Sequence, residues 1–145
     1  MLALEKAGCF IFLGLMSLFD IKYKRLPEVS LFLGITAALI VRILYTELPV
    51  SSYIMASFIG LTFIAVSFFT KEEIGYGDGL VILFIGILSG VENLLFVIFQ
   101  AFLLCAFTGI LLLLTAGKKK DLSLPFIPFI FVAFVLLIVF QKYST

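Results

Sequence analysis

Residues 79–116 read GLVILFIGILSGVENLLFVIFQAFLLCAFTGILLLLTA, and the only charge among them is Glu92. Gly75-Tyr76-Gly77-Asp78 stands immediately before them. A chain of 145 residues cannot hide so long an apolar stretch from water, because most atoms of a small domain lie near its surface. One membrane-spanning helix takes about 20 apolar residues, with a range of ~17–25. The stretch divides at Glu92 into a short run, 79–91, and a long one, 94–116. The short run crosses hydrocarbon only if Ile74 to Asp78 also lie at membrane depth.

Working outward, charged residues cut the rest of the chain into further apolar runs at 7–19, 29–45, 50–69 and 122–140. In the whole chain 63% of residues are hydrophobic, and mean hydropathy is +1.30. Charged residues make up 13%, about half the ~25% of an ordinary soluble domain. These figures exclude a water-soluble globular enzyme and a disordered tail. Ten Lys and Arg against nine Asp and Glu give a net charge of +1, which offers no footprint for a nucleic acid. The expected fold is all-α: a polytopic membrane bundle of six transmembrane helices, in one domain over residues 1–145, with segment four short and preceded by a Gly-rich loop.

Basic residues in short loops set orientation. Loop one holds Lys22, Lys24 and Arg25, loop three Lys71, and loop five Lys118, Lys119 and Lys120, which is seven of the ten basic residues. Loops one, three and five are therefore expected in the cytoplasm, with both termini outside a multi-pass inner or plasma membrane. The lysine run of loop five suits anionic inner-leaflet lipid. Ala7-Gly8-Cys9 precedes the first apolar stretch rather than following it, and no small-x-small cleavage site ends that stretch. The first segment is expected to stay in the mature protein.

Absences narrow the chemistry. With no His in the chain, Ser-His and Cys-His nucleophilic pairs and His-ligated metals are excluded. Cys9 and Cys105 sit inside apolar runs without a CxxC spacing and read as packing residues. No metal or cofactor is expected. An acid within lipid is expensive, roughly +2.5 to +3.5 kcal/mol for Asp at a helix centre. Yet Asp20 ends the first apolar run and Asp78 opens the fourth, on the same expected face. Asp20 alone reads as a solvated helix end beside Lys22 or Lys24, and Asp78 alone as a helix cap. Capping does not account for Gly75, Gly77 and Gly79 around Asp78. Glycine permits positive φ and close approach of another chain, and non-helical backbone at membrane depth survives only when buried or lining a watery cavity. Two facing carboxyls cannot both ionise easily, so they share a proton. One then acts as base on water while the other donates a hydrogen bond to a carbonyl.

These residues also carry a resemblance. Asp20 followed by Lys24-Arg25-Leu26-Pro27 resembles the first aspartate motif of type IV prepilin peptidases. Gly75-Tyr76-Gly77-Asp78 is similar to their GxGD motif, and Lys120 with Pro125-Phe126-Ile127-Pro128-Phe129 to their Lys then Pro-Phe-x-Pro-Phe stretch. The three occur in the family's order and cover nearly the whole chain. The resemblance implies a membrane aspartyl endopeptidase that removes the short basic leader from prepilin-like proteins at the cytoplasmic face, serving a type IV pilus or protein secretion. Asp20 and Asp78 would be the catalytic pair, and Gly75 and Gly77 would shape the active-site loop. Presenilin-like and signal-peptide-peptidase-like proteases share GxGD but carry a Pro-Ala-Leu motif absent here. Leu80 stands where many prepilin peptidases have Lys, and Ile127 where Gly is frequent. Loop one has no room for the zinc-binding CxxC domain of the bifunctional members, so no methyltransferase activity is implied.

Glu72 and Glu73, beside the GxGD stretch, read either as a solvated loop or as contacts for a basic leader. Two other classes of function stay open from the residues alone. One is a small transporter or channel with a carboxylate proton relay, although no acid lies deep in segments two, three, five or six. The other is a structural subunit of a membrane complex.

Overall fold

A computed structural model describes residues 3–23, 26–45, 49–69, 75–116 and 124–143. They form five helices and, among the described residues, no strand: α1 (Ala3–Tyr23), α2 (Glu28–Leu44), α3 (Val50–Phe69), α4 (Tyr76–Ala116) and α5 (Ile127–Tyr143). In hydrocarbon a helix satisfies its own backbone, which is why apolar runs of this length fold so. The chain's four prolines mark helix starts. Pro27 caps α2 in extended conformation, and the Pro49 carbonyl accepts the Ser52 N–H at 2.9 Å. Pro125 precedes α5 and Pro128 is its second residue. A first-turn proline gives up a donor the helix does not use, so Pro128 leaves α5 unbroken.

The six expected segments correspond to five helices, because runs four and five are joined within α4. Its 41 residues are interrupted at Gly90, where φ is 76° and ψ 174°, a region open essentially to glycine alone. The chain turns on this one residue, so no loop separates the two limbs. Leu94 Cδ2 lies 3.1 Å from where a Gly86 Cβ would stand. Eight residues of straight helix would separate those positions by about 12 Å, so the second limb folds back along the first. The break falls at Gly90 rather than at Glu92, where charge alone had divided the stretch.

The first limb of α4 is the core of the molecule. Leu80, Val81, Ile82, Phe84, Ile85, Ile87 and Leu88 are all buried. Helix α3 approaches this limb closely along small residues. A Cβ on Gly60 would come within 2.7 Å of the Leu83 Cα, and one on Gly79 within 3.0 Å of the Ile64 backbone nitrogen. Helix α1 lies against α5, with Phe10 and Phe131 rings 5.1 Å apart, and meets α4 through Phe12 and Phe84 at 4.4 Å. The outward faces are apolar too, with Ile43, Phe58, Phe68 and Leu114 exposed. A helix that is hydrophobic all round belongs in a membrane or a large core. Val50–Phe69 and Tyr76–Thr115 are each long and apolar enough to cross a bilayer, while α2 and α5 have 17 residues each.

The Gly90 break frees backbone groups that a continuous helix would pair internally. Arg42, at the end of α2, donates from Nε to the Ile87 carbonyl at 3.2 Å and from Nη2 to the Leu88 carbonyl. Asn93 Nδ2 donates to the Ser89 carbonyl at 2.9 Å, and the Val91 N–H donates to Ser52 Oγ at 3.1 Å. Gln141 Nε2 on α5 donates to Asn93 Oδ1 at 3.0 Å. This polar cluster closes one end of the bundle. The end of α1 and the starts of α4 and α5 meet at the other.

Candidate active site

Asp20 lies one turn before the end of α1, and Asp78 is the third residue of α4. Both are half-buried. The Asp78 N–H donates to the Gly75 carbonyl at 3.0 Å, which closes the first turn and turns the side chain back over Gly75. A Cβ on Gly75 would stand 3.1 Å from Asp78 Oδ2. An acid in a first turn also suits the positive end of the helix dipole. Gly77 faces the chain between α1 and α2, and a Cβ there would collide with Leu26. Among described residues the glycine with positive φ is Gly90. Gly75 and Gly77 thus serve close approach, one to the carboxylate and one to Leu26, and not an unusual backbone angle.

Asp20 Oδ2 accepts the Ile127 N–H at 3.2 Å. That N–H is a first-turn donor of α5 with no partner inside its own helix. The acid is therefore not simply a solvated helix end: it ties the end of α1 to the start of α5. The Ile127 side chain is fully buried in the core, so the position where Gly is frequent offers its backbone to Asp20 and its side chain to packing. Two carboxyls brought by separate helices to one end of a bundle can hold one proton between them and polarise a water.

Arg42 falls near the end of the apolar run 29–45. In the structure it is 9% exposed and pairs with Glu5 on α1, Nη2 to Oε1, at 3.3 Å. Its position at the rim of an apolar run was the available signal, since buried charge requires a partner. Glu72 and Glu73 lie outside the described residues, as do Lys24, Arg25, Lys71 and Lys118 to Lys120. Among the described residues no three Cys, Asp or Glu side chains gather as a metal ion would require.

Among the described residues the protein is all-helical, with apolar outer faces, two helices long and apolar enough to cross a bilayer, and Asp20 and Asp78 at one end. Residues 7–110 match the family model described as the type IV leader peptidase family. The chain belongs to that family, a family of membrane proteases. The matched range includes both aspartates and the GxGD stretch and stops before the Pro-Phe-Ile-Pro-Phe segment. No curated protein and no solved structure matches the chain significantly.

Proposed function

We propose that this protein is an aspartyl endopeptidase that cleaves the short basic leader from prepilin-like substrates at the cytoplasmic face, with Asp20 and Asp78 as its catalytic pair. The whole chain acts as one membrane-embedded peptidase domain. It crosses the bilayer six times, each limb of α4 counting once. What supports this reading is that Asp20, near the end of α1, and Asp78, at the start of α4, lie at the same end of the bundle, inside the range matched by the family model.

The pair holds one proton. The ionised member takes a proton from water as that water attacks the scissile carbonyl carbon, and the protonated member donates a hydrogen bond to the carbonyl oxygen. Collapse of the tetrahedral intermediate breaks the C–N bond, and a proton from the pair goes to the leaving amine. Apparent ionisation constants belong to the pair rather than to either residue. The scissile bond must be extended, so the substrate meets the site between its basic leader and its apolar helix.

Wild type, Asp20→Asn and Asp78→Asn, each expressed in membranes with a prepilin-like substrate, test the reading by leader removal on a gel. Both variants are expected to insert normally and to lose processing by at least a hundredfold, on the order of a general acid–base contribution. Processing retained by either one overturns the dyad. Proton flux in proteoliposomes, lost in the same variants while cleavage persists, would instead favour a relay.

A further inference from the structure

The guanidinium of Arg42, on α2, touches three other helices. It pairs with Glu5 of α1 at 3.3 Å. It donates from Nη1 to the Tyr45 carbonyl, just past its own helix, at 3.1 Å. It lies over the Tyr53 ring of α3, 4.3 Å from the centroid. Its remaining donors reach the Ile87 and Leu88 carbonyls of α4. Those two carbonyls would be bonded by Val91 and Glu92 in a straight helix, and the Gly90 break leaves them to Arg42. Few side chains offer this many donors in a fixed plane, and lysine does not.

The two helices that Arg42 ties together are those that carry the aspartates. Glu5 and Asp20 share α1, about 22 Å apart along its axis. Leu88 and Asp78 share the first limb of α4, about 15 Å apart. Between the two ends, α1 meets that limb at the tilted Phe12–Phe84 ring contact, 4.4 Å between centroids. Near Asp20 the tie runs to α5, not to α4. The polar tie between α1 and α4 through Arg42 thus lies at the end opposite the acids; at the acids' own end Leu26, past the end of α1, packs against Gly77.

We infer that Arg42, with Glu5 as its counter-charge, is a positioning residue that sets the separation of Asp20 and Asp78 through the register of α1 against the first limb of α4. The catalytic part of this inference rests on the proposed peptidase reading. The geometric part does not.

Two measurements test it. In a chain with Cys9 and Cys105 replaced by alanine, Asp20→Cys with Asp78→Cys gives a pair whose cross-linking by a short bifunctional thiol reagent reports separation in the membrane without any need for activity. The Arg42→Lys variant and the charge-free pair Glu5→Gln with Arg42→Met are expected to lower cross-linking severalfold. In the chain with native aspartates, the same variants are expected to lower kcat for leader removal roughly ten- to a hundredfold, the scale of an ångström-sized misplacement, with KM little changed. The two limbs of the pH profile should also move closer together, because their spacing depends on how near the carboxyls are. Unchanged cross-linking in both variants overturns the inference even if the chain proves to be a peptidase. Altered cross-linking in a chain whose Asp20→Asn and Asp78→Asn variants still process leader upholds the register and sinks the catalytic reading instead. Failure of every variant to insert, Arg42→Lys included, assigns Arg42 to folding alone and also overturns it.

Discussion

Asp20 has two jobs that a single substitution would confound. Its Oδ2 accepts the Ile127 N–H, and in the proposed mechanism it shares a proton with Asp78. Asparagine keeps an oxygen acceptor at that place and loses the charge, whereas alanine loses both. Asp20→Ala is therefore expected to destabilise the fold by about 1–3 kcal/mol, the cost of leaving a buried donor unpaired, and Asp20→Asn to cost much less. Thermal unfolding in detergent measures the difference, and both variants should be inactive. Equal melting temperatures for the two would mean that the bond to α5 contributes nothing. The glycines of the GxGD stretch also divide their work at this scale. Gly75 leaves room for the Asp78 carboxylate, and Gly77 leaves room for Leu26. The motif and the residue five after Lys22 in the first loop's sequence, Pro27, are thus linked through the Leu26 side chain that precedes it. Such a link between distant segments has no trace in either segment alone.

Helix α4 shows why elements here are harder to bound than to detect. Its composition announces helix throughout, but it contains Gly77, Gly79, Gly86, Gly90 and Gly109. Four of these stay helical and give space to neighbours or none is needed; Gly90 alone takes φ of 76°. Nothing in a local window separates a glycine kept for packing from one kept for a turn, so the division was drawn at the charge of Glu92. The Gly90→Ala variant is expected to lose about 1–3 kcal/mol, the cost of holding a side chain in that backbone region. It should also weaken the bonds that Arg42, Asn93 and Ser52 make across the break. A melting temperature unchanged from wild type, measured in the same detergent, would show that the chain can turn there without glycine.

At the scale of the molecule, the limbs alternate in direction. Leu26 meets Gly77 and Asp20 meets Ile127 at one end, while Arg42 meets Leu88 and Gln141 meets Asn93 at the other. If each limb of α4 crosses the bilayer, both termini lie on the side of the polar cluster and the aspartates on the other, which the proposed function takes as cytoplasmic. Single cysteines placed at Lys71 and at Lys142, in a chain without Cys9 and Cys105, should be labelled by an impermeant maleimide from opposite sides. Labelling of both from one side would remove a crossing and with it the proposed orientation.

Composition by itself settled the all-helical class, since a chain this apolar has to pair its backbone within each segment. The family was legible in the spacing of Asp20, the Gly75 to Asp78 stretch and the late prolines, because these are local patterns. Tertiary structure alone decided that α4 folds back on Gly90, that Arg42 serves the carbonyls this exposes, and that Asp20 receives a donor from α5. Each of these joins groups 45 or more residues apart or depends on which neighbour a glycine faces. Contacts of that kind are selected by how whole helices pack, and helices apolar on every side carry no stripe that names their partners.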